Sequence, residues 1–216
     1  MKFRSFKTPE NLTKNLCDLL SSEFKEPHNI MLSGGSTPYK VYNQIAQKNH
    51  ILHPQCKIFL SDERCVPVNS PKNNAYDLKP MLKSLNCSDQ FIAINTTLTP
   101  KDAASDFANK LSQISTFHFG LLGIGTDGHT AGIFNYSETQ STDSNLTLYT
   151  KRPDNMNGVS VSSYLIKRFE RVIILATGEN KREILNKLKE APEKLIAGNI
   201  LLNHSNTEIW NDIDIN

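Results

Sequence analysis

Short apolar runs alternate along this chain with amphipathic segments of about 10 to 15 residues, and that alternation restricts the fold more than any other property of the sequence. Thr8 followed by Pro9 has the pattern of a helix cap and first turn. Leu12, Leu16, Leu19, Leu20 and Phe24 then recur at helical spacing until Pro27 stops the run. A strand over residues 29–33 leads into SGGSTP (33–38), where Thr37 and Pro38 repeat the cap and Val41, Tyr42, Ile45 and Ala46 mark the buried face of a second helix. Residues 57–60 form the next strand and end in SDER (61–64). After a loop rich in Pro and Asn, a helix from about Asn74 covers Tyr76, Met81, Leu82 and Leu85, with Pro80 placed to kink it.

Residues 91–94 read as a further strand, and Thr99 with Pro100 caps a third time ahead of Ala103, Ala104, Phe107, Ala108 and Leu111. Residues 117–122 form a strand that breaks into glycines. Short strands follow at 146–149 and 159–161, then a strongly β-branched one at 171–176 that ends in TGENK (177–181) ahead of a helix through Ile184, Leu185 and Leu188. The tail gives a short helix and one edge strand around Ile209 and Trp210. The expected fold is α/β: βαβ units in an open, mainly parallel, Rossmann-like sheet with helices on both faces, in a single domain over residues 1–216.

Charge and cysteine usage narrow the function. The 24 basic and 22 acidic residues nearly cancel and are dispersed, which argues against nucleic acid and membrane surfaces as partners. Cys17, Cys56, Cys65 and Cys87 lie far apart without zinc-ligand spacing, and the six histidines form no HExxH pattern, so no metal is expected. No run reaches the roughly 18 apolar residues of a membrane span, and the first residues do not lead into a signal-peptide core. Reduced thiols and these absences together place the protein in the cytoplasm.

The chemistry is concentrated in the stretch FGLLGIGTDGHTAGIF (119–134). Gly125 and Gly128 bracket Asp127, and His129 follows two positions after it. Thr126 and Thr130 add hydroxyls, and residues 131–134 are placed to begin a helix whose free N–H groups face the pair. A structural histidine capped by a turn aspartate is the plain alternative. Gly123, Gly125 and Gly128 also match the spacing of a dinucleotide fingerprint, but Asp127 would set a negative charge against the pyrophosphate, so that reading is rejected. Ligands of open α/β sheets sit beyond the carboxyl ends of the strands, where three more loops meet this one. Gly34, Gly35, Ser36 and Thr37 offer N–H groups and hydroxyls suited to a phosphate, or form an ordinary glycine turn. SDER brings Asp62, Glu63 and Arg64 together after a strand, or is a solvated charged loop. Lys181 lies in the first turn of a helix, where a cation is disfavoured unless an anion is near, or is an ordinary surface lysine.

Taken as an ordered set, SGGSTP, SDERCVPVNSPKNNAY (61–76), GIGTDGHTAGIF and RVIILATGENK (171–181) resemble the 6-phosphogluconolactonases, which are similar in fold to the glucosamine-6-phosphate isomerase/deaminases. The deaminase branch has a glutamate five positions after the histidine; Phe134 stands there in this chain. The resemblance implies hydrolysis of 6-phospho-D-glucono-1,5-lactone to 6-phosphogluconate in the oxidative pentose phosphate pathway, with no cofactor, by a monomer or small homo-oligomer. The rival implications are an aldose–ketose isomerase/deaminase and a non-catalytic sugar-phosphate sensor.

The resemblance also implies roles. His129 would move the proton with Asp127 as its neighbour, Arg64 would contact substrate, and Lys181 with the loop at 34–37 would hold the phosphate, with Asn74 beside them. Asp62 would position either Arg64 or water. Three departures stand out: Cys65 occupies a position usually aromatic, Gly158 one where an arginine often precedes the short strand, and the C-terminal end is abbreviated.

Overall fold

The structure, a computed structural model, describes residues 1–48, 52–139 and 144–215. In chain order it runs through β1 (Lys2–Ser5), α1 (Pro9–Glu23), β2 (Asn29–Leu32), α2 (Ser36–Ala46), β3 (Lys57–Leu60), β4 (Asp62–Arg64), α3 (Asn74–Ser84), β5 (Phe91–Ile92) and α4 (Pro100–Leu111). It continues through β6 (Phe117–Gly123), β7 (Thr147–Lys151), β8 (Asn157–Val161), α5 (Ser163–Ile166), β9 (Phe169–Ala176), α6 (Arg182–Glu190), α7 (Ile196–Leu201) and β10 (Thr207–Asn211).

Seven strands form one sheet in the order β1-β10-β9-β6-β2-β3-β5, and each pairing in it is parallel. Both faces are covered because neighbouring side chains along a strand point to opposite sides. Ile30, Leu32, Ile58 and Leu60 pack with Leu16 and Leu20 of α1, Val41 of α2 and Leu78 of α3. Met31, Phe59, Leu122 and Ile174 pack on the other face with Phe107 of α4, Ile184 of α6 and Ile200 of α7. Phe107 and Leu16 are fully buried, each worth roughly 1.5 to 3 kcal/mol against leaving it in water. The expected α/β architecture is therefore the one observed.

Topology sets where a ligand can bind. β2 and β6 are neighbours, yet the chain leaves β2 toward β3 while β6 pairs on its far side with β9, so a crevice opens at their carboxyl ends. A second sheet, antiparallel in the order β4-β8-β7, stands over that crevice. It is fastened there through Ser61, whose N–H donates to the Leu32 carbonyl and whose own carbonyl accepts from the N–H of Val161, both at 2.8 Å.

Several local expectations need correction. SDER is a strand rather than a loop, because Asp62, Glu63 and Arg64 pair with Ser160, Val159 and Gly158 of β8. The helix after β2 begins at Ser36 without a side-chain cap; Gly35 turns the chain at φ 121°, and Thr37 is already inside the helix. Residues 131–134 start no helix: Ala131 has φ 51° and Thr130 bridges Ile133 instead. β10 is an interior strand between β9 and β1, the edge being β1. The caps at Thr8 and Thr99 are present, accepting from the N–H groups of Asn11 and Asp102 at 3.2 and 3.3 Å.

Candidate active site

At the β2/β6 crevice lies a cleft of about 460 Å³ lined by nine of the ten residues singled out from the sequence: Gly34, Gly35, Ser36, Thr37, Asp62, Arg64, Asn74, His129 and Lys181. The tenth, Asp127, sits behind His129 and holds it, its Oδ1 lying 2.5 Å from His129 Nδ1 and accepting from the His129 backbone N–H at 3.2 Å. The glycines after β6 make this turn possible. A Cβ on Gly125 would fall 2.2 Å from His129 Nδ1 and 2.3 Å from Asp127 Oδ1, and Gly128 takes φ 87°. Thr130 ties the returning chain to the end of β6 by donating its hydroxyl to the Gly123 carbonyl at 2.8 Å.

The pair has a definite electrostatic sense. Burial works to raise the Asp127 pKa, but hydrogen bonds and charge attraction from His129 outweigh it and hold the carboxyl below its ordinary range. An ionised carboxylate only accepts, so Nδ1 of His129 is the donor in this pair and Nε2 is the ring nitrogen left outside it. Phe134 packs against the ring with centroids 4.6 Å apart.

Lys181 comes from the other side of the crevice. It ends a 3₁₀ turn, Glu179–Lys181, and occupies the N-cap position of α6 rather than its first turn. Its ammonium donates to the Ile124 carbonyl at 2.7 Å, and burial lowers its pKa against the opposing attraction of Asp127. Thr37 joins the two walls through a 2.6 Å hydroxyl contact with Thr177, after β9. Gly34 is required where it stands, since a Cβ there would meet the Asn74 amide oxygen at 2.5 Å.

Asn74 and Arg64 are set by a residue to which the sequence reading gave no role. Glu63, 2% exposed, accepts from the backbone N–H groups of Arg64, Asn74 and Ala75 at 2.8, 2.6 and 2.8 Å. Burial, only partly offset by these donors, pushes its carboxyl up to about 7. Arg64 in turn donates to Asn74 Oδ1 at 2.8 Å and to the Lys72 carbonyl at 3.0 Å, while Asn74 Nδ2 donates to the Asp62 carbonyl at 2.9 Å.

Asp62 does not pair with Arg64. Its Oδ1 accepts from the Ser61 hydroxyl at 2.9 Å and its Oδ2 from Arg152 Nη1 at 3.3 Å. Arg152 also lines the cleft, and the sequence reading missed it. It precedes Pro153 and Asp154 in the turn between β7 and β8, and turn composition gives no sign that an arginine there reaches back to another strand. Cys65 is half-buried, and burial pushes its thiol up.

The chain is similar to known proteins. A family model described as glucosamine-6-phosphate isomerases/6-phosphogluconolactonase matches residues 7–210. The 6-phosphogluconolactonase of Haemophilus influenzae is 28% identical over 203 residues, covering 89% of this chain and 87% of that protein. The GDH/6PGL endoplasmic bifunctional protein of Homo sapiens is 31% identical over 198 residues, 84% of this chain and 25% of that longer protein. A crystal structure of a 6-phosphogluconolactonase from Shewanella baltica shares the fold with a TM-score of 0.85 at 22% identity, covering 98% of this chain and 97% of that one. The chain belongs to the family of glucosamine-6-phosphate isomerases and 6-phosphogluconolactonases.

Proposed function

We propose that this protein is a 6-phosphogluconolactonase, hydrolysing 6-phospho-D-glucono-1,5-lactone to 6-phosphogluconate in the oxidative pentose phosphate pathway. The observation that carries the reading is the meeting, in one cleft, of an oriented imidazole with an N–H-rich loop, Lys181 and Arg64. Relatives bearing this activity in their names cover nearly the whole chain.

His129 Nε2 takes a proton from water as its oxygen attacks the lactone carbonyl carbon. The carbonyl electron pair moves onto oxygen, where the Arg64 guanidinium supplies positive charge. When the tetrahedral intermediate collapses, the bond from C1 to the ring oxygen breaks and the imidazolium returns its proton to that oxygen, leaving the carboxylic acid, which ionises, and a free hydroxyl. Asp127 keeps the ring in the productive tautomer throughout. The phosphate is held at residues 34–37, where N–H groups open α2, and by Lys181. The side chain packed on His129 at position 134 is an aromatic ring rather than a carboxylate, which speaks against the isomerase/deaminase alternative.

A monomer or small homo-oligomer is the proposed state. Four free cysteines suit a reducing compartment, and the cytoplasm is the proposed location. Among the described residues no helix is long and apolar enough to cross a membrane. The reading is tested by following 6-phosphogluconate formation by NMR with the spontaneous rate subtracted, alongside deamination of glucosamine 6-phosphate. Lactone turnover alone is expected; ammonia release without lactone turnover overturns the reading.

A further inference from the structure

The cleft contains three cations, and they are not equivalent. Lys181 donates to a backbone carbonyl and Arg64 to a carbonyl and a side-chain amide, all neutral acceptors, so both keep a positive charge that an anion can satisfy. Arg152 differs. Its Nη1 lies 3.3 Å from Asp62 and its Nε 3.5 Å from Asp154, so two carboxylates already balance it. A phosphate placed against Arg152 would meet the negative charge of Asp62 as well. A neutral hydroxyl would instead find a donor and an acceptor side by side.

The pair is held for such a task. Both side chains are only 11% and 13% exposed, yet both line the cleft. The Arg152 guanidinium lies over the Phe134 ring, 5.2 Å from its centroid, and the same ring packs on His129, so the pair sits along the wall that carries the imidazole. Both ion-pair distances are long for a guanidinium and a carboxylate, and Nη2 donates to no protein acceptor among the described residues. Gly158 lies beside the arginine: a Cβ there would touch Arg152 Cδ at an ordinary 3.4 Å and crowd the Glu63 carbonyl at 3.1 Å.

We propose that Asp62 and Arg152 form a subsite that reads the hydroxyl groups of the sugar ring, making Arg152 a specificity-determining residue distinct from the phosphate anchor. This rests on the lactonase reading and gives the cleft two independent handles, one for the anion and one for the polyol. Arg152 donates to the oxygen of one ring hydroxyl while Asp62 accepts from the adjacent hydroxyl, as suits a vicinal diol.

The test is a substrate-by-mutant comparison. kcat/KM is measured for wild type, Arg152→Ala and Asp62→Asn on 6-phosphogluconolactone, on its 2-, 3- and 4-deoxy forms, and on unphosphorylated gluconolactone. Hydrogen bonds to charged groups correspond to about 10- to 100-fold in affinity. Arg152→Ala is expected to lose that much on both hydroxylated lactones, phosphorylated or not, and little on one particular deoxy lactone, so that wild-type discrimination against that compound collapses. Arg152→Lys, which retains the charge but not the fork, is expected to recover part of the loss; it also guards against a misfolded alanine variant, with melting temperatures checked for each. If discrimination among the deoxy lactones survives in Arg152→Ala, or if only the phosphorylated lactone is affected, the subsite is wrong. A wild type that hydrolyses none of these lactones overturns the lactonase reading and the subsite with it.

Discussion

Asp127, His129 and Lys181 each depend on a partner that fixes what they can do. The imidazole has a free Nε2 because the carboxylate occupies Nδ1, and Gly125 leaves the space in which they meet. Lys181 is held in a half-buried position by one carbonyl, with no carboxylate bonded to it among the described residues, as suits the proposed phosphate anchor. Lys181→Ala is therefore expected to lower kcat/KM on the phosphorylated lactone by about 10- to 100-fold and to leave unphosphorylated gluconolactone nearly unchanged. Steady-state kinetics on the two substrates decide it; equal slowing of both would remove the anchoring role. Nine of the lining residues were legible because a glycine turn, a hydroxyl or a charge at a strand end is a local signal. Arg152 was not, since it enters the cleft through the β7–β8 hairpin and its partner Asp62 lies ninety positions earlier, a pairing no local pattern encodes.

Among the elements, β4 and α3 carry the most consequence. Glu63 joins them, its carboxylate accepting from the N–H of Arg64 in the strand and from two N–H groups at the start of the helix. Because burial raises its pKa from 4.5 to about 7, the stability tied to its protonated form is fully present below pH 4.5 and is lost as pH rises through about 7. Glu63→Gln removes that titration. Unfolding free energy measured from pH 4.5 to 8 in both proteins should show the wild type losing on the order of 3 kcal/mol relative to the variant across that range. Parallel curves would contradict it. Two elements show why the sequence was partly silent. β1 alternates poorly and is largely exposed at the sheet edge, so burial left no pattern in it, and β4 is three polar residues that become a strand only by pairing with β8. The caps at Thr8 and Thr99 were readable because a hydroxyl beside a proline is itself the mechanism. The same two letters at Thr37 and Pro38 misled, since Gly35 at positive φ makes the turn there.

At the scale of the molecule, a parallel sheet puts every strand's carboxyl end on one side, so loops distant in sequence converge on one cleft. The small antiparallel sheet closes over it and brings to it Asp62 and Arg64 on β4 and Arg152 in the β7–β8 turn. The proposed chemistry needs only these side chains and water, so exhaustive chelation is expected to leave the lactonase rate unchanged; loss restored by zinc or magnesium would contradict the mechanism. The central claim is that His129, held by Asp127, moves the proton. It is tested most directly by the initial rate of 6-phosphogluconolactone hydrolysis in a pH-stat, spontaneous rate subtracted, for wild type and His129→Ala with matched melting temperatures. Loss of a general base costs about 10² to 10⁴ in rate, and a fall of that size is expected; a His129→Ala protein that keeps the wild-type kcat would contradict the claim.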